Sequence, residues 1–143
     1  MKSIILILLT LLFPIVGKSQ INYSFTYVSS SCKLIVNLKN TTNEFLFISP
    51  KLENSLDATY LDLKFLDENR TIIKQGKVYL FNYSSGALPI LIPNATTIYE
   101  IPLYCNKYPN ARSIEILFHI EAQNKKRETL FEKEICKCYM LEE

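Results

Sequence analysis

Four cysteines and one histidine are the side chains of this chain best suited to chemistry. Cys32, Cys105, Cys136 and Cys138 form an even set, which in an exported chain reads as two disulfides. Joining Cys136 to Cys138 would close a very small ring. Extended i, i+2 neighbours also stand near the upper limit for bridged Cα atoms. The expected pattern pairs one of Cys136 and Cys138 with Cys105 and the other with Cys32, leaving no free thiol. Which goes where stays open. A Cys₄ zinc site is the sharper competitor, but zinc ribbons use Cys-x-x-Cys hooks. This chain has Cys136-Lys137-Cys138 and two single cysteines, so no metal site is expected.

His119 is the only histidine, which excludes any multi-histidine site. Its phase sets it with Glu115 and Glu121 on the outer face of a strand, an exposed imidazole near surface carboxylates. A catalytic triad would need a nucleophile and an orienting acid around it. No Gly-x-Ser-x-Gly elbow supplies one, and Ser84-Ser85-Gly86 reads as a turn. Of the 3 glycines, Gly17 falls in the leader, leaving Gly76 and Gly86. Phosphate-cradling loops need several glycines for close backbone approach. The calcium-loop pattern Asp-x-Asp-x-Asp-Gly is also missing. The expectation is a non-enzymatic protein with no cofactor.

Two apolar stretches remain as candidate binding surfaces. Gly86–Pro93 carries Leu88, Ile90 and Leu91 between Ala87 and Pro93, with two prolines, Pro89 and Pro93, that restrict regular sheet pairing. It reads either as a crossover that plugs the core or as a loop offered to a partner. Tyr79, Phe81 and Tyr83 share one phase, as a stacking platform for sugars or peptides would, or as a core row does. The tip Lys125-Lys126-Arg127 reads as a solvated turn.

These residues must be positioned by strands. Ile21, Tyr23, Phe25 and Tyr27 alternate with polar residues. Leu34, Val36 and Leu38 alternate with Lys33, Ile35, Asn37 and Lys39, then Leu61, Leu63 and Phe65 with Tyr60, Asp62 and Lys64, then Ile114, Ile116, Phe118 and Ile120 with Glu115, Leu117, His119 and Glu121. A period of two in β-branched and aromatic residues is the signal of a half-buried strand. Further strands are expected over 44–49, 77–82, 96–104 and 129–136, the last an edge guarded by charge. Residues 50–59 have room for a short helical turn. Asn40-Thr41-Thr42-Asn43 and Asp67-Glu68-Asn69 have side chains that close turns on their own backbone.

Residues 1–19 read as a cleaved secretory signal: Lys2, an apolar run from Ile4 to Val16, then small residues at Gly17 and Ser19. That run is too short for a membrane span. Residues 20–143 are then a single domain, periplasmic or secreted, with no membrane insertion. Of the 16 Lys and Arg, Lys2 and Lys18 fall in the leader, so the rest balance the 14 acids. That balance argues against nucleic acid as a partner.

The order of features resembles an immunoglobulin-like sandwich of the kind common in small exported bacterial proteins. The residues that carry it are Leu34–Asn43, a strand ending in an Asn-rich turn; Leu61–Asp67; and Ile92-Pro93-Asn94-Ala95-Thr96 leading into Tyr99-Glu100-Ile101. The fold class expected is all-β, a two-sheet antiparallel sandwich of about 7–8 strands. A fold of this kind carries no function by itself. The expected role is a binding or accessory module, inhibitor- or immunity-like, for another protein or an envelope or extracellular ligand. The alternative is a structural subunit that self-associates through edge strands.

Overall fold

The structure, a computed structural model, describes residues 20–48, 59–80 and 90–141. The leader, the turn expected over 50–58, and Phe81, Tyr83 and Leu88 lie outside the described residues. The alternating segments form strands in the phase their sequence predicts. In Ile21–Val28 (β1) and Lys33–Asn40 (β2), Ile21, Leu34, Val36 and Leu38 are buried, while Ile35 and Asn37 of the alternate row are half-buried and Lys39 is exposed. Tyr60–Leu66 (β4) and Ser113–Gln123 (β8) bury Leu61, Leu63, Phe65, Ile114, Ile116, Phe118 and Ile120 in the same way. Leu46–Phe47 (β3), Ile72–Tyr79 (β5), Ile90–Leu91 (β6), Thr96–Pro102 (β7) and Thr129–Met140 (β9) complete the set.

The strands form two antiparallel sheets. One has the order β1-β2-β7. The other runs β5-β4-β8-β9 through its main body, with the short β3 pairing with the end of β8 at Gln123 and β6 pairing with β3. The inner faces meet in one apolar core. Phe25 of β1 packs edge-on against Phe118 of β8 with ring centroids 4.8 Å apart, which locks the sheets together. Tyr99 lies at the centre with no exposed surface, and burial pushes its phenol up to about 12. Its hydroxyl has no hydrogen-bond partner among the described residues.

The Asn-rich turn reaches deeper than turn chemistry requires. Asn40 is fully buried. Its Nδ2 donates to the carbonyls of Glu44 at 2.7 Å and Leu91 at 3.0 Å, while its Oδ1 accepts from the Thr42 amide and hydroxyl. One side chain thus ties the end of β2 to β6. Asp67 closes its own turn, its Oδ1 accepting from the amides of Asn69 and Thr71.

Two expectations about strand ends need correction. β5 begins at Ile72, well before Lys77, and β9 runs on to Met140, past both of its cysteines. β5 is a sheet edge in which Lys74, Gln75, Gly76 and Lys77 interrupt any alternation, so the periodicity there is weak. Among the described residues, no helix is long and apolar enough to cross a membrane.

Candidate functional site

The register of β9 decides the cysteine chemistry. Cys136 faces Leu117 and Cys138 faces Glu115 on the outer side of the sheet, while Ile135 and Tyr139 take the inward positions. Both thiols are exposed and unbonded. Cys32 instead pairs with Cys105, with Cα atoms 6.0 Å apart, inside the usual range for a cystine. The expected pairing of Cys32 and Cys105 with Cys136 and Cys138 is therefore overturned. The sequence puts Cys32 and Cys105 at one pole, and they do meet there, because β2 and β7 pair from Lys33 with Pro102 onward. Cys136 and Cys138 do not join them, because their strand continues and turns them outward.

His119 also differs in detail. It lies on the outer face as expected, yet its side chain is only 14% exposed. Tyr60 stacks on it at 5.2 Å, and Nδ1 lies 3.5 Å from a Glu134 carboxylate oxygen. Lys77 covers the Tyr60 ring at 4.3 Å, and Tyr79 sits opposite Tyr60 across the β4–β5 pair. The surroundings of His119 are therefore aromatic rings and a carboxylate from β9, with no nucleophile among these contacts.

The aliphatic stretch resolves toward the core where it is described. Ile90 and Leu91 form β6, paired with Phe47 and Leu46. Leu91 is fully buried and Ile90 half-buried. Leu91 is thus a core residue, because β6 hydrogen-bonds into the sheet instead of standing out as a loop.

The opening that the sandwich does present lies elsewhere. On the inner face of β5, Lys74 is opposite Phe65, Gly76 opposite Leu63, and Val78 opposite Leu61. Gly76 contributes no side chain, and a Cβ built there would meet nothing within 4 Å. A groove of about 210 Å³ results between β5 and the end of β7. Leu63, Phe65, Val78, Leu103, Tyr104 and Tyr108 wall it, and Lys74 and Lys107 stand at it with no carboxylate among the described lining residues, while Lys77 turns its side chain to the outer face over Tyr60. This is below the roughly 300–1,000 Å³ of small-molecule sites, a size suited to side chains.

The cystine holds the rim of this groove. Tyr104 is 51% exposed and left-handed, at φ 54°. A bulky residue reaches that region only when its surroundings impose it, at a cost of roughly 1–3 kcal/mol. Cys105, tied to Cys32, follows directly, and the Lys107 amide donates to the Tyr104 carbonyl at 2.9 Å. Lys107 Nζ lies 4.6 Å over the Tyr104 ring. At the far end of β5, Ile72 and Ile73 are 49% and 40% exposed. Among the described residues, no strand pairs with the outer edge of β5.

A larger depression of about 480 Å³ lies between residues 43–45 and the β8–β9 hairpin tip. Its amides are already engaged. Asn124 donates to Glu128 and accepts from two backbone amides of the turn, while Asn43 accepts from Asn94. It is the hollow of a well-bonded hairpin.

Sequence reasoning missed Gly76, Lys74, Ile72, Ile73 and Tyr104. The available signal was a glycine inside a strand, which marks a missing side chain or a close approach. No protein-family model matches the chain, and no curated protein matches it. Among solved structures, it is similar to an X-ray structure of a Northeast Structural Genomics Consortium target. The likeness has 14% identity and a TM-score of 0.41, over 85% of this chain and 81% of that one.

Proposed function

We infer that this chain is an exported, non-enzymatic binding module that takes up an extended segment of another protein along β5. The occupant is an acidic stretch with a large aliphatic side chain, as in an inhibitor- or immunity-type interaction. The observation that carries this reading is the groove over Leu63 that Gly76 leaves open, with Lys74 and Lys107 at it and no acid among the described residues that line it. An added strand would bond along Ile72–Val78, with whose outer edge no described strand pairs, and its alternate side chains would face the groove. The lysines favour carboxylates beside the inserted residue. Exposed Ile72 and Ile73 extend the apolar contact.

Export is supported by the leader pattern and by the Cys32–Cys105 bridge. The order β1-β2-β7 against β5-β4-β8-β9 supports an immunoglobulin-like topology, in which β5 is naturally an edge.

Display of random extended peptides to the full exported protein tests the reading. Enriched sequences should carry Leu or Ile flanked by Asp or Glu, bind more weakly as salt rises, and lose binding to Gly76→Val. Peptide binding that ignores Gly76→Val would overturn the groove. Mass that rises with protein concentration, with no peptide bound, would favour the self-associating subunit instead.

A further inference from the structure

Both ends of the cystine adjoin backbone that residues with a Cβ avoid. Cys32 is itself left-handed, at φ 45°, and so is Tyr104 at φ 54°, immediately before Cys105. Such conformations persist only where the surroundings impose them. Here the Cys32 amide donates to the Ser29 carbonyl at 3.1 Å, and the Cys32 carbonyl accepts from the Leu103 amide at 2.9 Å. The bridge closes this set of contacts between the start of β2 and the turn after β7. It also lies within reach of solvent. Cys32 and Cys105 are half-buried and line a depression of about 390 Å³ with Ser29, Ser30, Tyr104 and Asn106. Tyr104 lines both this depression and the groove, so it stands between them.

We propose that Cys32–Cys105 is a reducible latch that holds Tyr104 at the groove, and that reduction releases this rim and weakens binding there. The effect on binding rests on the reading of the groove as a peptide site; the latch does not. A cystine that is accessible and held in strained backbone is reduced more readily than a buried, relaxed one. The reductant is a dithiol. One of its thiolates attacks a sulfur of the bridge to form a mixed disulfide, and its second thiolate then displaces that link. Two electrons and two protons pass to Cys32 and Cys105, which end as thiols, and the reductant ends as a disulfide. Without the bridge, no covalent tie holds the turn against β2. Tyr104 then returns to a favoured backbone region and carries its ring, with Lys107 over it, away from the groove wall.

The test equilibrates the full exported protein and its Tyr104→Gly variant with graded ratios of reduced to oxidised dithiothreitol, then alkylates and weighs the chains. Two alkylated thiols mark the latched chain and four the open one. Glycine accepts φ 54° at little cost, so Tyr104→Gly relieves the bridged form and should move the midpoint about tenfold toward the disulfide. An unchanged midpoint would overturn the latch. So would loss of the β signal in circular dichroism on reduction, which would make the cystine a staple of the whole fold. Exchange of the Lys107 amide, which donates to the Tyr104 carbonyl, should quicken in the reduced protein. A synthetic peptide alternating Leu with Asp reads the effect on the groove. Binding weakened about fivefold or more by reduction supports the control of binding, and equal binding to both forms overturns it. Binding to neither form would refute the peptide groove and the control with it, while the midpoint still decides the latch.

Discussion

The large sheet ends in two edges built on opposite plans. β9 sets Phe131, Ile135 and Tyr139 inward against the core, with Lys133 and Lys137 between them in the same row, and carries Glu132 and Glu134 on its outer face. β5 sets Lys74, Gly76 and Val78 inward, of which only Val78 packs on the core, and it carries no acid. Mixed charge on an edge discourages strand pairing, whereas exposed aliphatics such as Ile72 and Ile73 invite it. On the proposed function, what sets β5 apart as a docking edge is that the strand also fails to fill the space beneath it. β9 fills that space and leaves its chemistry on the outer face. β5 leaves it empty.

The largest expected effect separates the two cysteine pairs. Cys32→Ala with Cys105→Ala reopens a sequence separation of 73 residues and should cost about 4 kcal/mol in urea unfolding. Cys136→Ser with Cys138→Ser, on the β9 surface, should stay within about 0.5 kcal/mol of wild type. Equal losses would mean that the outer face of β9 is structural.

Alkaline pH distinguishes the interior from both edges. Tyr99 has its phenol held up at about 12 by burial, against 10.0 in the unfolded chain. Below pH 10 both states keep the proton and stability is unaffected. Between about 10 and 12 the unfolded chain releases it first, so stability should fall by about 3 kcal/mol. Tyr99→Phe should remove that fall, as read by unfolding across the pH range. A variant that keeps the full decline would assign it to other groups.

A pair of truncations then compares the edges directly. Ile135→Ala strips an inward side chain of β9 and should cost about 2 kcal/mol, while Val78→Ala in β5 should cost about 1 kcal/mol. Hydrogen exchange should follow the same order, with β5 amides opening before those of β9. The contrast between the edges fails if Val78→Ala proves the costlier change.

Much of this was legible in the residues, and the exceptions have physical causes. Buried strands announce themselves because one face must be apolar, so β1, β2, β4 and β8 could be read with their phase. β5 lost its first half because an edge over an empty groove has no face that must be apolar. The cysteine pairing went astray although the phase of Phe131 and Ile135 already pointed Cys136 and Cys138 outward. The error was to end β9 at its first cysteine, since strand ends are set by partner pairing and not by side-chain pattern. The groove was the least legible feature. It depends on β5 and the turn after β7 facing each other across two sheets, a proximity that no local spacing encodes.

Gly76 carries an expected stability change of opposite sign and the sharpest test of the comparison. Glycine in a strand interior costs roughly 0.5–1 kcal/mol through the freedom it loses on folding. A β-branched residue suits an extended backbone better. At Gly76 the backbone dihedral is not left-handed, and nothing lies within 4 Å of the added Cβ. Gly76→Val should therefore stabilise the fold by up to about 1 kcal/mol, read as a raised melting temperature. It should also fill the space over Leu63 and make the inner row of β5 resemble that of β9. Stability gained while peptide binding is lost is the signature of a position kept empty for an occupant. Stability lost would mean that β5 needs the gap for its own backbone, and the two edges would then differ by strain instead of by use.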